Sequence, residues 1–154
     1  MVTDRILVGV DGSAGSRRAL LWAISEAKAR DCIIDALAVW ESPNAVGESL
    51  WTPPEEKRLA DEALGRLSET IEEVAGADPG VEIHPVVLRG DPAQILCSWS
   101  NDAQLLVLGT RGHGGFVGLL LGSVSSKCAQ HSSCPVVIVP RQWPQPPERP
   151  SDDR

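Results

Sequence analysis

No run of apolar residues in this chain of 154 is long enough to cross a membrane, which takes about 20 in succession. The first ten residues, MVTDRILVGV, carry an acid where a secretory leader has its basic start, and they lack a small-residue cleavage site. The segment therefore reads as part of the fold, not as a signal peptide, and the protein as cytoplasmic. Net positive charge is also missing: 14 Lys and Arg stand against 21 Asp and Glu, a formal charge of −7. Sequence-independent binding of nucleic acid needs a basic face, as does docking on an anionic bilayer, so neither partner is expected.

Cysteine is sparse. Cys32, Cys97, Cys128 and Cys134 form no CxxC pair, and His84, His113 and His131 do not stand at ligand spacing from them. The pattern disfavours zinc and reads as reduced structural thiols, consistent with the cytosol. Two common phosphate motifs are absent as well. There is no GxxxxGK[ST], and no GxGxxG after the first apolar run; Gly112, Gly114 and Gly118 miss that spacing by one residue and lie far downstream.

What is present is alternation. Short β-branched runs at Arg5–Val10, Ile33–Trp40, Val81–Leu88, Leu105–Leu108 and Cys134–Val139 predict five strands. Between them lie helical patterns over Ala14–Arg30, Glu55–Ala75, Pro92 to about Ser100, and Gly122–His131. Ser13 is placed to cap the first helix, and Leu59, Ala63, Leu67, Ile71 and Val74 stripe the second. Such alternation predicts one α/β domain, a parallel open sheet with helices on both faces. The segment 41–54 is a long polar loop. From 141 to 154 the chain turns proline-rich and polar, which reads as a disordered tail after a domain spanning 1–140. Three bases and three acids cancel within that tail, so the −7 belongs to the domain. Trp22, Trp40 and Trp99 fall in regular elements and read as core or interface. Trp51 and Trp143 lie in the loop and tail, and the histidines read as surface residues.

In open α/β sheets ligands bind beyond the carboxyl ends of strands, where strand order reverses. The first strand ends at Val10-Asp11-Gly12 and the fourth at Leu108-Gly109. If these strands are neighbours, one loop offers a carboxylate and the other offers backbone N–H groups. Asp11 suits ribose hydroxyls or a metal ion. Gly109, Gly112, Gly114 and Gly115 let backbone curl round anionic oxygens, while Ser123 and Ser125 stand at a helix start that favours negative charge. The plainer readings are a tight turn at the glycines, a turn or capping role for Asp11 and an N-cap role for Ser123. Arg111 is either a phosphate partner or a solvated side chain.

The spacing Gly109-x2-Gly112-x9-Gly122-Ser123 resembles the ATP-binding signature of the universal stress protein family. ILVGVDGS near the start, GDPA at 90–93 and GSVS leading to CPVVIVP are similar too. The resemblance covers about Thr3 to Pro140. It implies a Rossmann-like, five-stranded parallel sheet of order 3-2-1-4-5. It also implies ATP as ligand, often with a divalent ion, Mg2+ or Mn2+, for which Asp11 is the candidate holder. The implied contact set is Gly9, Val10, Asp11, Val39, Gly109, Arg111, Gly112, Gly122, Ser123, Val124 and Ser125, with Val39 meeting adenine through its backbone. A homodimer through the last strand, Val136, Val137, Ile138 and Val139, is implied as well. The function expected is a regulatory stress-response module with no assigned catalytic residue. The alternatives are a slow ATPase, for which neither a Walker lysine nor an assured general base is present, and a nucleotide-free scaffold.

Overall fold

A computed structural model describes residues 4–41, 52–111 and 121–143. The chain runs β1 (Arg5–Gly9), α1 (Ala14–Arg30), β2 (Ile33–Trp40), α2 (Pro53–Ala75), β3 (Ile83–Arg89), α3 (Pro92–Trp99), a 3-10 turn (Ser100–Asp102), β4 (Leu105–Gly109), α4 (Ser123–His131) and β5 (Val136–Val139). All strand pairings are parallel, in the order β3-β2-β1-β4-β5. The order and the open, two-faced α/β architecture are those expected.

The central strands read as unbroken apolar runs because both of their faces are covered. Ile6, Leu7 and Val8 are all buried, as are Leu105 to Leu108. Alternate residues divide between two cores. Ile6, Val8, Ile34, Ala36 and Val107 pack under α1 and α2, with Leu20, Ile24 and Leu67. Leu7, Leu37, Leu106 and Leu108 pack under α3 and α4, with Leu96 and Cys128.

Element ends follow local chemistry. Ser13 caps α1 by accepting the Ser16 N–H at 3.2 Å, and Asp31 ends that helix in the left-handed region at φ 56°. The second helix starts at Pro53, two residues before the expected Glu55. A helix's first turn needs no N–H donors, so Pro53 and Pro54 fit there. Glu55 reaches back to accept the Thr52 N–H at 2.8 Å and the Thr52 hydroxyl at 2.9 Å. The third strand begins at Ile83, not Val81, and the fifth at Val136, because Pro135 after Cys134 brings no donor to the ladder.

Two partly exposed residues have defined partners. His84 lies at the surface as expected, 41% of its side chain exposed, its Nδ1 3.4 Å from the carboxylate of Asp35 and its Nε2 2.5 Å from that of Glu82. Asp35 is itself buried and accepts from Arg5 at 2.9 and 3.2 Å. Beyond Pro140 the chain stays on the molecule as far as Trp143, which packs against the α1 core and donates its N–H to the Pro140 carbonyl at 3.1 Å. Trp22 and Trp99 pack on the two cores as expected. The expectations for most of the 41–54 loop, with Trp51, and for the tail from 144 on fall outside the described residues.

Candidate functional site

The chain leaves β1 toward β2 and β3 on one side and later builds β4 and β5 on the other. The reversal point lies between the carboxyl ends of β1 and β4, which pair directly. Two groups of residues stand at this end of the sheet.

The first group lines a cavity of about 410 Å³ between the ends of β1 and β2 and the inner face of α2. That volume is within the range of small-molecule sites. Val10 and Asp11 form one wall, and Ala38, Val39 and Trp40 another. Val39 contributes through its backbone. The Leu37 carbonyl accepts from Val10 N–H at 2.9 Å, so it points toward β1. Strand alternation turns the N–H and C=O of Val39, two residues on, to the same side, where β1 has already ended. Its side chain packs in the α3–α4 core instead.

Asp11 is exposed, and its carboxylate accepts from the Ser13 N–H at 2.9 Å and from the Ser13 hydroxyl. This Asx-type turn shapes the chain into α1, so the turn-forming reading of Asp11 holds alongside any ligand role. Arg17, one turn into α1, donates to the Gly12 carbonyl at 3.2 Å and pairs with Glu73 of α2. The pair bridges two helices at the cavity, where it and the buried Thr70 are lining residues. Sequence reasoning missed Arg17, Trp40, Thr70 and Glu73. Thr70 lies three residues after Leu67 and so shares its face of α2, which was the one available signal.

The second group is built on glycine backbone. Gly109 ends β4, and a Cβ placed on it would lie 2.7 Å from the carbonyl carbon of Gly15. A Cβ on Gly15 would lie 2.8 Å from the carbonyl oxygen of Arg111. The first turn of α1 therefore rests directly on the strand end and the loop that follows. Gly122 is the N-cap of α4, and its N–H donates to the Thr110 carbonyl at 2.6 Å. Ser123 is the first helical residue, not the cap, and is exposed. Ser125 is buried and donates its hydroxyl to the Gly109 carbonyl at 2.7 Å. The N–H groups of Ser123, Val124 and Ser125 belong to the first turn and have no partner inside the helix.

Of the expected contact set, Val10, Asp11 and Val39 meet at the cavity. Gly109, Arg111, Gly122, Ser123, Val124 and Ser125 assemble around the start of α4, with Arg111 half-buried. Gly9 is not at the cavity: a Cβ there would meet the Leu108 side chain at 2.6 Å, which is a packing requirement. Gly112, Gly114, Gly115 and His113 lie outside the described residues. Among the described residues no group of three or more His, Cys, Asp or Glu is placed to hold a metal, and no helix is long and apolar enough to cross a membrane. A divalent ion at Asp11 would thus not find three such side chains among the described residues.

A family model described as "Universal stress protein family" matches residues 3–140. A universal stress protein of Mycobacterium tuberculosis is 38% identical over 139 residues, which cover 86% of this chain and 44% of that one. The chain spans less than half the length of the curated relatives it matches. A crystal structure of a universal stress protein in complex with cAMP aligns at 26% identity and TM-score 0.58, covering 90% of this chain and 98% of the other. The Archaeoglobus fulgidus universal stress protein in complex with dAMP aligns with a TM-score of 0.61 at 22% identity, covering 90% and 98%, and shares the fold.

Proposed function

The chain belongs to the universal stress protein family, and on that premise we propose that it is an ATP-binding regulatory module. One observation carries the reading. A cavity with an acidic lip at Asp11 and an anion-accepting helix start at Ser123 lie on either side of the β1–β4 boundary.

In this proposal adenine enters the cavity beside the outward-turned backbone of Val39, against Ala38, Leu67 and Trp40. Asp11 accepts from the ribose hydroxyls. The phosphates run across the sheet boundary to Gly109, Arg111 and the first-turn N–H groups of Ser123, Val124 and Ser125, with Gly112 completing the cradle. The helix dipole of α4 favours negative charge at that point. Unscreened, the Asp11 carboxylate repels phosphate; Mg2+ or Mn2+, if held by Asp11, would supply positive charge to offset that repulsion. The related structures with cAMP and dAMP support an adenine nucleotide as the ligand class.

The output is regulatory in this reading: nucleotide ties α1, β4 and α4 together and biases recognition of a partner. That partner includes a second copy of the chain. β5 is an edge of the sheet, and Val136, Val137 and Ile138 are only partly covered. Pairing β5 with its equivalent would remove an apolar edge. A competition panel tests the ligand assignment. ATP should displace a fluorescent adenine nucleotide at least as well as cAMP or dAMP does, while GTP should not. Equal displacement by GTP, or preference for the monophosphates, would remove the ATP assignment.

A further inference from the structure

The sulfur of Cys97, on α3, lies 3.9 Å from the sulfur of Cys128, on α4. The two side chains face each other across the helix–helix contact on the core side of the sheet. All four cysteines are free thiols. Cys32 belongs to the opposite core, where its thiol is oriented toward Arg30 and Gln104. Cys134 neighbours the Ser132 hydroxyl at 3.7 Å. We propose that Cys97 and Cys128 form a thiol–disulfide switch, oxidised by a hydroperoxide, that locks α3 to α4.

The two thiols have different surroundings. Cys97 is partly exposed and within reach of a small oxidant. Cys128 is fully buried and has the Ala93 carbonyl 3.9 Å away. Burial first, then the neighbouring Cys97, push its thiol up to about 12, so Cys128 is the poorer initial nucleophile. The order of events follows. The Cys97 thiolate attacks one peroxide oxygen; an S–O bond forms, the O–O bond breaks and one water leaves after protonation. Cys128 then loses its proton and attacks the sulfenic sulfur of Cys97; the S–S bond forms, the S–O bond breaks and a second water leaves. Two thiols have lost two electrons and two protons, and hydrogen peroxide has become two waters.

A disulfide requires about 2.05 Å between the sulfurs, so oxidation brings the two sulfur atoms together from 3.9 Å and joins α3 to α4 covalently. α4 is the helix that starts at Ser123 and is tied by Ser125 to the end of β4. On the nucleotide reading above, the cross-link acts on the phosphate half of the site; the disulfide itself does not depend on that reading.

The test uses the full chain without nucleotide, treated with a small molar excess of hydrogen peroxide, alkylated and digested. The free thiol count should fall from four to two, with an intramolecular peptide linking Cys97 to Cys128 that dithiothreitol releases. Cys97→Ser should abolish the link, and Cys32→Ser should leave it unchanged. Retention of all four thiols, or over-oxidation of Cys97 without a cross-link, would overturn the proposal. So would a link to Cys134. Because the wild-type chain supplies the main readout, a variant that fails to fold does not rescue the idea.

Discussion

Gly15 and Gly109 meet backbone to backbone. A Cβ on Gly109 would stand 2.7 Å from the Gly15 carbonyl carbon and 2.8 Å from its oxygen. Neither atom is the end of a flexible side chain, so the space cannot be made without moving α1 or β4. The first glycine of the signature is therefore required by packing before any ligand arrives. Gly109→Ala is expected to destabilise the protein by about 1–3 kcal/mol, the usual cost of overpacking. Urea denaturation with no nucleotide present measures it, and a change under 0.5 kcal/mol would contradict this account of the contact.

Ser125 and Ser123 separate structure from binding. The buried Ser125 hydroxyl serves the Gly109 carbonyl at 2.7 Å. Ser125→Ala leaves that carbonyl without its donor and should cost about 1–3 kcal/mol. Ser123 is exposed, and in the proposal its hydroxyl, as well as its N–H, meets phosphate, so Ser123→Ala should leave the urea midpoint near wild type while weakening nucleotide binding. The reverse pattern would show that the two serines have exchanged roles.

Much of this architecture is legible in the sequence because it depends on local pattern. The runs at β1, β2 and β4 and the stripe on α2 announce themselves by composition and period. The cavity is harder to read, because its far wall comes from α2, some 50 residues after Val10 and Asp11. Arg17 and Glu73 lie 56 residues apart and belong to no motif; only the packing of α1 against α2 makes them a pair. Gly9 and Gly109 each end a strand in the structure. One is small to admit Leu108 and the other to admit Gly15, which no spacing rule distinguishes. His84 reads as a surface residue and is one, but its partner Asp35, on the neighbouring strand, is set by register and has no mark in the local sequence.

At the start of α2, the Thr52 N–H first, and its hydroxyl second, hold the Glu55 carboxyl below its ordinary value of 4.5. A group with a depressed folded value contributes stability above its unfolded value and loses it as pH falls through the folded one. The capping interaction should thus persist at neutral pH and fail only in acid below 4.5. Carboxyl carbon NMR should give Glu55 a midpoint below 4.5, and Thr52→Ala should raise it. A midpoint at or above that value would show that the reciprocal cap is not formed.

Asp11 serves a turn and, in the proposal, a ribose. Asp11→Asn keeps an oxygen for the Ser13 N–H, now 2.9 Å away, and removes the charge. Thermal unfolding without ligand should shift by no more than a few degrees, equivalent to about 1 kcal/mol or less. Affinity for ATP with Mg2+ should fall roughly 10-fold or more, which is about 1.4 kcal/mol. Unchanged affinity would leave Asp11 as a turn residue alone.

Titration calorimetry of the full chain with ATP, with and without Mg2+, bears most directly on the central claim. The account predicts saturable binding of one nucleotide per chain, strengthened by the divalent ion and accompanied by a rise in melting temperature. The absence of both heat and thermal shift at millimolar ATP under either condition would contradict it.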